Sequence, residues 1–118
     1  MLEGAALWWL VFVTTAAAGL VLATGHLGRR RKLAPNPFMG LRTRFTRSDD
    51  EVWYEVHYRA APWALASGVA MLGAPAAAVL GPSAAVQAAG ILAATLLSVT
   101  LLSAGSAIAS RQVRARAR

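Results

Sequence analysis

Few side chains in this 118-residue chain can do chemistry, and most of them lie in one segment. Cysteine is absent, which removes thiolate nucleophiles, thiolate metal ligands and disulfides together. His26 and His57 are the only histidines, and two imidazoles without a thiolate are a thin basis for zinc, so no metal or cofactor is expected. No Ser-His-Asp arrangement is visible, and no catalytic residue is assigned. What remains is a run of polar and aromatic residues: Asn36, Gly40, Arg42, Thr43, Thr46, Ser48, Asp49, Asp50, Glu51, Trp53 and His57. Arg42 offers a planar fork of donors suited to carboxylate or phosphate. One reading is an internal clamp, with Arg42 paired to Asp49, Asp50 or Glu51. The other is recognition, with Arg42, Asn36 and Thr43 gripping a phosphate, a lipid head group or a partner's carboxylate. The consecutive acids do not require catalysis. Ser48-Asp49-Asp50-Glu51 has the form of a capping box, in which the Ser48 hydroxyl accepts the Glu51 amide and the acids face the positive helix end. His57, one turn beyond Trp53, is expected to pack or hydrogen-bond rather than bind metal.

The elements that must position these residues follow from hydropathy. Hydrophobic residues make up 57% of the chain and charged ones 14%, and the stretches 4–25 and 60–110 hold no charge at all. A soluble domain carries about a quarter charged residues. A helix of about 20 apolar residues crosses a hydrocarbon core of roughly 30 Å. The expectation is an all-α membrane protein, a single domain with spans at 5–25, 62–80 and 85–109. Glu3 in place of a basic leader, and the Arg29-Arg30-Arg31-Lys32 run after the first stretch, point to a retained span rather than a cleaved signal. A loop over 26–61 would carry a short amphipathic interfacial helix at about 48–60, and a basic tail occupies 110–118. Pro62 either opens the second span or kinks one continuous helix, and Pro75 should bend it. Gly81-Pro82-Ser83 is a tight turn between antiparallel neighbours.

Net charge is +7, but the basic residues flank apolar stretches, so the pattern reads as membrane topology and not as nucleic-acid binding. With three spans, the loop and the tail share a side, which the excess of arginine makes cytoplasmic: N-terminus out, C-terminus in. Arg29, Arg30, Arg31 and Lys32, together with Arg111 and Arg114, are expected to meet anionic lipid, and Arg116 and Arg118 end the tail, spaced to snorkel toward phosphates or sit free in water. Small residues recur at Thr15, Gly19 and Ala23, at Ala66, Ala70 and Ala74, and at Gly90, Ala94 and Ser98, stripes that would bring the spans together or support a homo-oligomer. Gln87 is expected at the interface. Charge-free spans argue against a proton-coupled pump.

The segment Pro35-Asn36-Pro37-Phe38-Met39-Gly40-Leu41-Arg42-Thr43, then Thr46, Ser48-Asp49-Asp50-Glu51, Trp53 and His57, resembles the SdpI family of small bacterial membrane proteins. The family pattern runs P-N-x-x-x-G-I-R-T, then a Thr, a Ser with acids, a Trp and a following His. Leu41 stands where the family commonly has Ile, and Arg44 where it commonly has Pro. The detailed match covers about 28–63, and some members are about twice as long, with extra N-terminal spans. The resemblance implies residence in the bacterial cytoplasmic membrane. It also implies immunity against a secreted, membrane-active peptide toxin, or signalling by holding a regulatory protein at the membrane. Two other classes stay open: an accessory or assembly subunit of a larger membrane complex, and a small transporter or channel.

Overall fold

The computed structural model describes residues 2–116, so Arg118 lies outside the described residues. Four helices account for most of them: α1 (Gly4–Arg29), α2 (Asp50–Met71), α3 (Gly73–Leu80) and α4 (Ala84–Arg116), with a single 3-10 turn at Thr46–Ser48. Three units are long and apolar enough to cross a membrane: α1, the α2–α3 rod over Asp50–Leu80, and α4. They form a bundle of 53 × 21 × 21 Å. Its long axis exceeds a hydrocarbon core by roughly 20 Å.

The loop helix and the second span are one element. α2 runs from Asp50 through Pro62 to Met71 without interruption, so no separate interfacial helix at 48–60 exists. Pro62 is exposed on its outer face and costs one bond, because it has no N–H for the Tyr58 carbonyl. The charged residues of α2, Asp50, Glu51, Glu55 and Arg59, all lie in the first turns, ahead of Pro62. The helix begins one residue later than a Ser48 cap would require. Asp49 is the N-cap and accepts the Glu51 amide at 2.7 Å, while the Ser48 hydroxyl donates to the Phe45 carbonyl. Aspartate is as good a cap as serine and adds a charge at the positive helix end.

The rod is broken between α2 and α3 at Leu72, three residues before Pro75. Pro75 has no N–H for the Met71 carbonyl, and the Leu72 amide is shared between the Gly68 and Val69 carbonyls at 3.3 and 3.1 Å. The ladder resumes when the Ala76 amide reaches the Leu72 carbonyl.

Lipid gives no hydrophobic drive for helix association, so close approach and polar contacts must hold the bundle. The stripe expected on α1 is not the contact face: Thr15 and Gly19 are exposed, and Ala18, Gly25 and Gly28 are buried instead. On the second span Ala66 is exposed, and Ala64, Ser67, Gly68 and Ala74 point inward. On α4 the expected Ala94 and Ser98 are buried, in a row that continues through Gly105, Ala109 and Val113. A methyl at Gly28 would meet the His57 carbonyl at 2.8 Å, and one at Gly105 would strike the Trp63 side chain. Midway along the bundle, the Ser67 hydroxyl lies 2.8 Å from the Ser98 carbonyl and 2.7 Å from its hydroxyl.

Gln87 is 2% exposed and so is buried among the helix ends, near the start of the third span. The Ala78 carbonyl would normally bond the amide four residues on, but that residue is Pro82. The Gln87 amide fills the vacancy at 2.8 Å, and its carbonyl oxygen accepts the Leu2 amide at 3.0 Å. One side chain on α4 thereby ties the end of α3 and the start of the chain together. Trp8, Trp9 and Phe12 are more than half exposed, as suits a lipid-facing surface.

Candidate functional site

The signature segment is folded against the basic end of the bundle, and its residues hold one another. α1 ends in a Schellman motif: the Lys32 amide bonds the Leu27 carbonyl at 2.9 Å and the Arg31 amide the Gly28 carbonyl at 3.1 Å. The left-handed position is filled by Arg31, φ 55°, not by glycine. Its guanidinium compensates, bonding Glu55 at 2.7 Å and lying 4.1 Å over the Tyr58 ring. The chain then passes Leu33, which is buried and accepts the Trp53 indole N–H at 2.8 Å. Asn36 forms the next turn: its side-chain oxygen takes the Phe38 and Met39 amides at 2.9 and 2.6 Å, and its amide donates to Ala34.

Gly40 and His57 form the central contact. Gly40 has φ 101°, and a methyl there would lie 2.6 Å from His57 Nε2 and 3.2 Å from the Trp53 ring. Only glycine satisfies both the dihedral and the space. The next amide, Leu41 N–H, donates to His57 Nε2 at 2.7 Å. The other ring nitrogen, Nδ1, lies 2.7 Å from the Trp53 carbonyl, so the neutral ring carries its proton there. Burial lowers the His57 pKa, partly offset by the bond to that carbonyl. No carboxylate is hydrogen-bonded to the ring among the described residues.

Thr43 and Thr46 complete the lock. Thr46 is fully buried; its hydroxyl donates to the Leu41 carbonyl at 2.6 Å and accepts the Thr43 amide at 3.0 Å. The Thr46 amide in turn donates to the Thr43 hydroxyl at 3.1 Å. Leu41 and Phe45 pack on a small core of Val56, Ala60, Ala109 and Val113, which joins the loop to α2 and α4.

The acid clamp exists, but with different partners. The Arg42 guanidinium takes part in no ion pair or hydrogen bond among the described residues, so its expected pairing with Asp49, Asp50 or Glu51 does not form. The hub is Glu55, which receives Arg31 from the end of α1, Arg59 from its own helix at 2.9 Å and Arg116 from α4 at 3.0 Å. The hydrogen bonds from Arg31 and then Arg59 hold the Glu55 carboxyl below its ordinary pKa, against the opposing effect of burial. The Glu55–Arg59 spacing was readable; the long-range arginines were not. Asn36 and Thr43 are consumed internally and are not free to join Arg42 in binding. Arg42 instead stands exposed at a cleft of about 250 Å³ shared with Asn36, Thr46, Arg47, Asp50 and Trp53. Arg29, Arg30, Lys32, Arg111 and Arg114 are exposed at the same end of the bundle.

The residues locked together here coincide with those of a known pattern: the sequence profile of the SdpI/YfhL protein family matches residues 32–110. The chain belongs to the SdpI/YfhL family. No curated protein and no solved structure matches it. In this SdpI/YfhL member the matched region takes in the loop, α2, α3 and α4 up to Ser110. The contacts from α1 through Gly28 and Arg31 come from residues that precede the match.

Proposed function

We propose that this SdpI/YfhL protein acts by binding and not by catalysis, as an immunity or signalling protein towards a membrane-active peptide toxin. It sits in the bacterial cytoplasmic membrane with the arginine-bearing end inside. The observation that carries the reading is the division of labour within the signature. Asn36, Gly40, Thr43, Thr46, Trp53 and His57 are spent on holding the loop, whereas Arg42, the signature's one cation, is held out at a cleft and unpaired. A guanidinium presented on a rigid loop is suited to a partner's carboxylate. The spans supply the surface for the toxin, and the loop supplies the contact that reports or secures it.

The test is protection of a sensitive host. Cells expressing the protein should survive peptide toxins made by the same or a related strain. Arg42→Ala should remain as abundant and as heat-stable as wild type and yet lose protection. Full protection by Arg42→Ala would remove Arg42 from recognition, and wild-type failure across a broad toxin panel would remove immunity.

A second reading, an accessory subunit of a larger complex, draws on the exposed α1 face at Thr15 and Gly19, where a methyl on Gly19 would meet nothing within 4 Å. Purification in mild detergent separates the readings, since this one requires a stoichiometric unrelated partner.

A further inference from the structure

The arginines of the basic end fall into two sets. Arg31, Arg59 and Arg116 are neutralised around Glu55. Arg44, Arg111 and Arg114 are exposed, make no ion pair among the described residues, and line a single open groove of about 680 Å³ between the loop and α4. No acidic residue lines that groove. Arg114 is set in place by Phe45, whose ring lies 4.4 Å beneath its guanidinium.

Ser103, Ser106 and Ser110 line the same groove, below the arginines and within the uncharged part of α4. Their spacing puts them on one helix face with Arg114. Hydroxyls inside a span normally bond back to the preceding turn, as Thr14, Thr24 and Thr95 do here, at 2.7–2.8 Å. Among the described residues the three serines make no such bond, nor any other. Leu102 and Ala107 add apolar wall beside them. The groove thus presents, from the membrane surface inward, cations, then unpaired hydroxyl donors, then hydrocarbon.

We propose that this groove is a specific site for one anionic glycerophospholipid. The phosphate would sit among Arg44, Arg111 and Arg114, the Ser106 and Ser110 hydroxyls would donate to the acyl-ester carbonyls, and one chain would run down α4 past Ser103. Three cations without a counter-ion call for an anion. Donors below the cations, with Ser110 and Ser106 about 1.5 and 7.5 Å along α4 from Arg111 and facing lipid, select a ligand that continues into the bilayer over a soluble phosphate. The site does not depend on Arg42 or on the immunity reading.

The full chain, in neutral detergent, is titrated with phosphatidylglycerol or phosphatidylcholine, and retained lipid is read by native mass spectrometry. Wild type should retain one phosphatidylglycerol and prefer it to phosphatidylcholine by at least about ten-fold. The triple variant Arg44→Gln, Arg111→Gln, Arg114→Gln should lose that preference. Arg29→Gln, Arg30→Gln, Lys32→Gln removes the same charge elsewhere and should keep it. Ether-linked phosphatidylglycerol should bind wild type less well than the ester form, and Ser106→Ala, Ser110→Ala should erase that difference. Equal losses in the two charge triples would reduce the effect to diffuse attraction and overturn the site. Displacement of the lipid by millimolar inorganic phosphate would make it a soluble-anion site and overturn the lipid assignment. If the groove triple does not fold, the wild-type comparisons decide: equal retention of phosphatidylcholine, or of the ether lipid, refutes the proposal.

Discussion

Protonating His57 should release the signature loop. The ring is placed so that Nε2 accepts the Leu41 amide while Nδ1–H donates to the Trp53 carbonyl. A second proton can go only to Nε2, where it would oppose an N–H 2.7 Å away, in a site only 3% exposed. Burial therefore holds the folded pKa below the ordinary 6.5. With the undocked loop the better proton acceptor, stability is complete above about pH 6.5 and declines as pH falls from there towards the folded pKa. One proton gives at most about 1.4 kcal/mol per pH unit, so moving from pH 7.5 to 5.5 should cost up to about 1.4 kcal/mol, or about ten-fold in the opening constant. Glu55, whose pKa is lowered from 4.5, loses its contribution only at more acid pH, so this window isolates the imidazole. The assay is hydrogen exchange at Leu41, corrected for the intrinsic rate. Its protection should drop by up to about ten-fold across the window. His57→Gln keeps an acceptor near Nε2 without a titrating group, and its protection should be lower but flat with pH. Unchanged protection in wild type, or the same slope in His57→Gln, would refute the lock.

Gly40→Ala should destabilise the loop by about 2–4 kcal/mol, combining a forbidden dihedral with displacement of His57 from a buried amide. Thermal unfolding in detergent checks it, and a melting point equal to wild type would count against the contact. Gln87→Leu leaves the Ala78 carbonyl without a donor and should cost about 1 kcal/mol, within the range measured for hydrogen bonds between membrane helices. The same unfolding experiment, with Val86→Leu as an exposed control, measures it.

The spans were legible because lipid demands a long uncharged stretch for each crossing: 4–25 holds one, and 60–110 holds two about the Gly81-Pro82-Ser83 turn. The helix–helix faces were not, because alanine and glycine are so frequent that several stripes fit each span; only three-dimensional packing selected Ala18 and Gly25 over Thr15 and Gly19. Within the loop, residue types announced the site, and its wiring stayed hidden. Asp49 and Ser48 compete for the same cap, and adjacent cap residues differ by tenths of a kcal/mol. Arg42 and Arg31 are equally able to pair with an acid, and the choice of Arg31 for Glu55 depends on α1 ending in a left-handed turn. The bonding role of Gln87 was not legible because it arises from a missing donor at Pro82, a defect that matters only once α3 is seen to end there.

α4 continues as helix to Arg116, well past the last apolar residues of its span. Its arginines are consequently indexed to the bilayer by a rigid screw, and not strung on a loose tether. Each residue advances the rod by about 1.5 Å and turns it by about 100°. A single residue inserted after Ser110 would leave composition and charge untouched, yet it would swing Arg114 off Phe45 and Arg116 off Glu55 in the same rotation. Angular phase, more than the number of positive charges, is what sets the contacts at this end of the molecule.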